Sequence, residues 1–588
     1  MKKYYLGAMA LVCATMASAQ HVKSIQKLQN IEESTTKTHV DNEKGITLFT
    51  FDFSNAGAWS FADNTSSGDD WVIGTTAPSG TYAIDPIAST TAANGFALFD
   101  SDLLCSGNQN SDVRLVTPMD LSASPNISIQ FQSFYRKFQG NCYVIASTDG
   151  VAWTQFEVHA GLAGNQSTNN PTNVQVNLSS VIGGSATAYV GFRYIGGCDY
   201  AWMVDDVKIV ETDDYDLAIT GMHWGSEGPW HEGLQGQFQA RLPYYQIPLA
   251  QRTEILFGGL VQNNGAIAQN DCVFNVAIPS ASYTATSTAG TLAPNAADTL
   301  DATTTFTPGA TAATFAVSAG ISSGATDANT ADNTLTGVSF ATNNFIYARD
   351  LGTATTGLYR EGQEYKIGNI FDIYEDADLY GLDFFVAAST PAGTEAFITL
   401  FGTTTAEFDD DFIAGTDPAT VTPGQWNTVL FDEPIPLTAG SAYLPTIGTY
   451  GTGGNGDDLV IGGAGFSAPQ TTYLYDPTAT EGGPWFYTTS TPMVRMNFDP
   501  SLSVKKNDLA NSMSVYPNPA TDKTIVSFEA NGADAVVVVT DLSGKVVSTM
   551  NTTTGKAEIN TAAFAAGMYN VTVTSNNTVA TTKLVVRK

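Results

Sequence analysis

The stretch that decides the fold is "AWMVDDVKIV", residues 201–210. Trp202, Val204, Val207 and Ile209 are residues that pack on a pleated surface, so the stretch reads as a strand. Asp205 and Asp206 stand in its middle, where two like charges resist burial unless something compensates them. The expected compensation is a cation bound in a β-sandwich. Adjacent strand residues point to opposite faces, so only one of the pair is expected to face the ion.

The neighbouring sequence has the same grammar. In "NISIQFQ" Ile127, Ile129 and Phe131 share one face and Ser128, Gln130 and Gln132 the other. "NVQVNL" repeats the alternation with Val174, Val176 and Leu178, and "AYVGFRY" follows. Turn clusters such as "STDG" and "GGSA" separate these strands. That is the pattern of an antiparallel sandwich. Across the 588 residues charged side chains are only 14% and glycines number 54. The balance favours many short strands joined by turns, in several domains. The expected fold class is all-β, as tandem β-sandwiches.

Charge excludes one class of partner. Lys and Arg total 25 against 57 Asp and Glu, a formal net charge of -32. Such a surface repels nucleic acid and anionic membranes. It suits an exposed, soluble protein or one that collects divalent cations. "MKKYYLGAMALVCATMASAQ" has a basic start, a short apolar run and small residues before Ala19-Gln20. Residues 1–19 are therefore expected to be a secretory signal peptide cut between Ala19 and Gln20, since the apolar run is too short to span a bilayer. No other run is long enough for a transmembrane segment. Residues 20–45 read as a leader or linker.

Four further units are expected. Residues 46–213 read as a jelly-roll sandwich and 214–343 as an immunoglobulin-like one, with "EILFGGLVQNNG" ending in an Asn-Gly turn. Residues 344–500 are the most acidic part and read as a sandwich of no recognised family. A linker, 501–512, leads to a small sandwich at 513–588, where Tyr569, Val571 and Val573 alternate and "DLSGK" forms a hairpin turn.

Cys105, Cys142 and Cys198 fall in the first of these units and Cys272 in the second. Export permits disulfides. Three cysteines allow three pairings, and Cys142 with Cys198 is the expected one, because both lie on or beside apparent strands. There is no CxxC pair, which disfavours zinc.

Several motifs carry resemblances. Phe51-Asp52-Phe53, Gly95 through Asp100, Arg114 to Pro118 and Val204 to Val207 occur in an order similar to MAM-type domains and to the adhesin domains of bacterial surface proteases. Both are jelly rolls in which the last strand lies beside the first. The resemblance implies a structural calcium held among Asp52, Asp100, Asp102, Asp205 and Asp206, as hard cations take six to eight oxygen ligands. Val261, Asn263, Gly265 and the loop "DANTADN" resemble a bacterial cell-adhesion-related immunoglobulin-fold (CARDB-like) domain. Tyr516-Pro517-Asn518-Pro519, Gly567-Met568-Tyr569 and the ending Lys583 to Lys588 resemble the C-terminal sorting domain of the type IX secretion system of Bacteroidetes. That resemblance implies the type IX machinery as a partner, removal of the domain, and a surface-attached or released product.

Catalytic motifs are poorly supported. "GISSG", residues 320–324, fits a nucleophile elbow around Ser322, but no helix follows and no histidine lies downstream. "GTGGNG", residues 451–456, fits a dinucleotide fingerprint but leads into an apparent strand. His223, Trp224, Trp230 and His231 read as a packed domain junction rather than a sugar platform or metal site. Trp59, Trp71, Trp153, Trp426 and Trp485 raise the same choice between core and sugar stacking. The Asp409–Asp411 and Asp457–Asp458 runs read as solvated loops. Carboxylate pairs for glycoside hydrolysis need only proximity in space, which a sequence does not reveal. The expectation is a secreted or cell-surface, non-catalytic adhesion or ligand-binding protein whose first domain recognises an extracellular glycan or protein. The alternatives are an extracellular hydrolase or its accessory subunit, with chemistry in the third unit, and a structural surface or matrix component.

Overall fold

A computed structural model describes residues 30–32, 45–230, 241–404, 407–451, 458–479, 484–502, 509, 512–529, 534–575 and 578–588. The signal peptide with Ala19 and Gln20, His231, and the glycine-rich 452–456 stretch lie outside the described residues. The chain forms two compact units, residues 1–502 and 503–588.

In the first unit, the strands between Thr47 and Glu211 form two antiparallel sheets. One sheet places Thr172–Asn177, Ile127–Tyr135, Ala201–Glu211, Phe96–Asp100 and Val72–Gly74 side by side. The other runs Trp59–Asp63, Gln109–Leu115, Tyr189–Gly196, Asn141–Ser147 and Thr154–Val158. Apolar positions of both meet in one core, where Trp71, Phe99, Val113, Phe131, Phe192 and Trp202 are buried. The alternation of Ile127, Ile129 and Phe131 is thus an inward set. Trp71 sits edge-on to Trp202 at 5.2 Å, and its indole donates to the Ser111 carbonyl.

The strand Ala201–Glu211 is shared along one edge. Residues 201–204 pair with Phe96–Asp100, and residues 207–210 pair with Thr47–Phe51. The change of partner falls at Asp205-Asp206. On the other edge the register with Ile127–Tyr135 slips there: Asp205 faces Gln132 and Lys208 faces Gln130. This is a β-bulge. Asp206 takes φ +51°, a left-handed conformation that Asp tolerates better than most residues.

The expected Cys142–Cys198 bridge does not form. Cys105 and Cys198 are joined instead, with Cα atoms 3.9 Å apart, and Cys142 and Cys272 are buried free thiols. Cys142 lies within Asn141–Ser147 and points into the core. Cys198 lies past the end of Tyr189–Gly196, beside the loop that follows the one-turn helix Ser101–Leu104. Lying on a strand was the wrong criterion, because the bridge joins two turns at the end of the sheets.

Residues 217–343 build a three-stranded sheet (Leu217–Gly225, Leu256–Asn263, Ala297–Asp301) against a six-stranded one centred on Ala313–Ser322 and Thr334–Asn343. Asn263 is buried: its side-chain amide donates to the Ile267 and Leu292 carbonyls, and its oxygen accepts from the Gly265 amide. Asp327 accepts from the Leu217 amide, tying the "DANTADN" loop to the first strand. Ser322 ends a strand and accepts a hydrogen bond from Asn275.

Residues 346–497 supply all eight strands of one sheet and seven strands of another. One gains Asn30–Glu32, which pairs antiparallel with Thr356–Leu358, so part of the expected linker is an edge strand. The core of this sandwich is continuous with that of the preceding one. Trp230 is buried at the junction, its indole donating to the Gln470 carbonyl and its backbone amide to Asp372. Trp224 packs beside Tyr245, Phe257 and Phe340. His223 lies half-buried on Leu217–Gly225.

The second unit is a small sandwich of a three-stranded and a four-stranded sheet. Tyr569, Val571 and Val573 are buried together with Val537, Val539 and Leu584. Asn518 braces the terminal strand, donating to the Lys583 carbonyl at 2.8 Å and accepting from the Val585 amide at 2.9 Å. Lys588 donates to the Ala562 carbonyl, Gly567 pairs with Val586, and Tyr569 donates to the Ala565 carbonyl. Tyr516 is 80% exposed, and the bonds preceding Pro517 and Pro519 are cis. Asp541 accepts from the amides of Ser543 and Lys545, closing the "DLSGK" hairpin.

Candidate functional site

The five aspartates fall in two places. Asp100 pairs with Ala201, four residues before Asp205, which is about 13 Å along the strand. Asp100 caps the helix Ser101–Leu104 by accepting from the Leu103 amide, and also accepts from the Ser79 amide at 2.7 Å. Asp102 accepts from the Tyr82 amide. These two hold the 79–82 loop. Asp52, Asp205 and Asp206 gather instead on the Ser89–Asn94 loop.

The bulge brings both carboxylates of the pair to that loop. Ser89 donates to Asp205 at 2.5 Å. The Thr91 hydroxyl lies 3.4 Å from Asp205 and 2.8 Å from Asp206. Strict alternation, which would have faced only one of them to the site, is broken by the extra residue in the strand. Val207 pairs with Phe51, so Asp52 follows on the adjoining strand and accepts from Asn94 at 3.1 Å. Bonds from the Ser54 hydroxyl and amide hold the Asp52 carboxyl below its usual value. Burial pushes the Asp205 carboxyl up to about 6, against the lowering effect of the bonds from Ser89 and the Asp206 amide. Among the described residues no three Asp, Glu, His or Cys side chains converge as a metal-binding group. Asp52 therefore shares the loop but not a common point with the pair; Asp205 and Asp206, with the Ser89 and Thr91 hydroxyls, are all-oxygen donors of the kind calcium takes.

A second site lies on the third sandwich, on the sheet that contains Glu395–Thr404, Ser441–Thr449, Tyr365–Asn369, Thr472–Tyr475 and Trp485–Tyr487. Register aligns one residue from each strand in a row: Phe397, Gly448, Lys366, Tyr475 and Trp485. Gly448 is the gap in this row. A Cβ there would lie 2.9 Å from Lys366 and 3.1 Å from Phe397, so only glycine lets those side chains meet over the strand. Phe397, Thr399 and Phe401 alternate along their strand and line the same cleft of about 800 Å³. That size falls within the usual range for ligand sites.

The cleft walls are a chain of aromatic rings. Tyr450 packs on Phe397 at 4.5 Å. The Lys366 ammonium lies 5.8 Å from Phe397 and 3.9 Å from Tyr475, a cation–π arrangement. Tyr475 and Phe401 each lie within about 5 Å of Trp485, and Phe401 leads on to Phe412. Trp485 is 1% exposed and forms the floor, whereas Tyr450 and Phe412, at the two ends, are 64% and 63% exposed. Lys366 also pairs with Glu364 at 3.2 Å. Asp417 and Asp432 line the cleft and are exposed.

The other tryptophans do not offer free ring faces. Trp59 and Trp71 are core residues. Trp153 and Trp426 are half-buried, under the guanidinium groups of Arg114 and Arg495. Asp411 is exposed, and Asp458 accepts from the Gly362 amide.

Fold and sites define an all-β, multi-sandwich protein ending in a separate small sandwich. Residues 514–587 match the family described as "Secretion system C-terminal sorting domain". The chain is thus a type IX secretion substrate, directed to the cell surface or extracellular space. No described helix is long and apolar enough to cross a membrane. No curated protein matches the chain in sequence.

Similar solved structures include PorZ, a surface component of the type IX secretion system of Porphyromonas gingivalis. It is 19% identical over 20% of this chain, with a TM-score of 0.13, and this chain spans 15% of the PorZ chain. A cleaved adhesin domain of Lys-gingipain from P. gingivalis is 16% identical over 28% of this chain and 98% of that one, TM-score 0.19. The CBM27-1 module of Caldicellulosiruptor saccharolyticus, solved with mannohexaose, is 14% identical over 28% and 98%, TM-score 0.19. Each is a partial likeness, and none assigns a ligand to this chain.

Proposed function

We propose that the exported chain is a non-catalytic adhesion or ligand-binding protein that holds an extracellular glycan or protein in the cleft of its third sandwich. The observation that carries this reading is the aromatic chain from Tyr450 to Phe412, buried in the middle and exposed at both ends. Large rings left in water at the mouth of a preformed cleft are suited to contacting a partner. Recognition thereby moves from the first domain, where the sequence placed it, to the third. The metal part of the proposal narrows to a structural calcium at Asp205 and Asp206, which would fasten the last strand of the jelly roll to the Ser89–Asn94 loop.

One observation favours a second reading, an extracellular hydrolase: Asp417 and Asp432 both line the cleft, and paired carboxylates are the machinery of glycoside hydrolysis. The experiment is a screen of the purified full chain against glycan and matrix-protein arrays, with product analysis of every glycan that binds. Retention without cleavage supports the first reading and cleavage supports the second. Absence of any ligand, with self-assembly into sheets or fibres, would overturn both in favour of a structural component.

A further inference from the structure

We propose that the cleft of the third sandwich binds a neutral glycan chain laid between Tyr450 and Phe412. This rests on the preceding reading and names its ligand class.

The charges in the cleft select against anions. Asp417 and Asp432 are exposed carboxylates on its lining, in a chain whose formal net charge is -32, and they disfavour polyuronates and sulfated glycans. A cationic peptide would seek the aromatic faces, but Lys366 already covers Tyr475 at 3.9 Å. Lys366 is itself paired with Glu364, so the lining keeps a net negative charge and only that ring is closed to a cation. What suits the exposed rings and the carboxylates together is an uncharged ligand with many hydroxyl donors and flat apolar faces. Sugar hydroxyls can donate to Asp417, Asp432 and Thr399, and the CH faces of the rings can rest on exposed aromatic side chains. Tyr450 packs on Phe397 and Phe412 on Phe401, four residues along the same strand or about 13 Å, so a chain of several sugars spans them better than one monosaccharide.

The test is isothermal titration of the full chain with neutral hexasaccharides of glucose, mannose and galactose, with oligogalacturonate, and with an oligolysine peptide. Tyr450→Ala and Phe412→Ala are the variants, chosen because both side chains are exposed and can be removed without opening the core. At least one neutral hexasaccharide is expected to bind, and each variant to weaken it about tenfold. Neutral-glycan binding that neither variant weakens would overturn the site. Binding of only the anionic or only the cationic probe would overturn the ligand class while leaving the binding reading intact. The same holds if no oligosaccharide binds but a protein ligand is captured in a Tyr450- and Phe412-dependent way. Cleavage of a bound hexasaccharide would uphold the glycan class and overturn the non-catalytic reading.

Discussion

Asp205 offers a test in which stability, pH and metal give distinct signatures. Burial is the main cause that lifts its carboxyl to about 6, against about 3.9 in an unfolded chain. The folded state therefore holds the proton more tightly. The stabilising contribution is complete below about pH 4 and is lost as pH rises through about 6. At about 1.4 kcal/mol per pH unit the difference is about 3 kcal/mol in a dry site, and nearer 2 kcal/mol once solvent screening is counted.

Asp205→Asn imitates the protonated acid and keeps the oxygen that accepts from the Asp206 amide. With chelator present, variant and parent should be equally stable near pH 4, and the variant more stable by 2–3 kcal/mol, roughly, at neutral pH. Several sandwiches share the first unit, so one melting curve does not isolate the effect. Hydrogen exchange of the amides in Ala201–Glu211 does. Calcium favours the ionised carboxylate, and should slow exchange in the parent at neutral pH while leaving the variant unmoved. If the chelated variant gains nothing at neutral pH, the burial argument is wrong. If calcium protects neither protein, the metal proposal falls.

Other outcomes follow from single contacts. Cys105→Ser opens a loop with a sequence separation of 93 and should cost the first sandwich about 4–5 kcal/mol, read by denaturant unfolding of the reduced and oxidised chain. Burial pushes the Cys142 and Cys272 thiols up, so a thiol reagent should label both only after unfolding. Trp230→Ala should cost about 3–5 kcal/mol and expose the junction of the second and third sandwiches to limited proteolysis. Asn518→Ala removes two hydrogen bonds to the last strand and should cost the sorting domain about 1–2 kcal/mol, seen as a lower melting temperature and a smaller exported fraction.

The sandwich class and the sorting domain were legible because both rest on local pattern. Tyr569, Val571 and Val573 alternate in sequence and are buried together. The motifs around Asn518 and Lys583 stand far apart in sequence but are joined by the Asn518 bridge, which explains why they occur as a set. The Asp205–Asp206 pair was legible as an anomaly, but its geometry was not. A bulge is a mismatch between two strands, and one strand's sequence does not contain it. The disulfide failed for a related reason, since it depends on which turns meet at the sheet ends. Least legible was the cleft. Its row joins residues 397, 448, 366, 475 and 485, which register alone brings together, and Phe397-x-Thr399-x-Phe401 reads in sequence like any inward-facing strand.

The seams between sandwiches differ in kind, and that bears on how a bound ligand would be held. Second and third are joined through apolar packing: Tyr244 stacks on Tyr347 at 4.3 Å, and Trp230 lies within 6.2 Å of Tyr473. The buried Arg349 guanidinium donates to the carbonyls of Ile370 and Thr471 beside this seam. The first sandwich meets the second in part through hydrogen bonds, among them Asn177 with Asn295 and Gln175 with the Asn264 carbonyl. Polar contacts exchange readily with water and contribute little net stability, whereas separating a shared apolar core exposes it. Separating the second and third sandwiches would therefore expose their shared core, whereas the first has a core of its own. A ligand in the cleft would thus be held by a body of two sandwiches with one shared core.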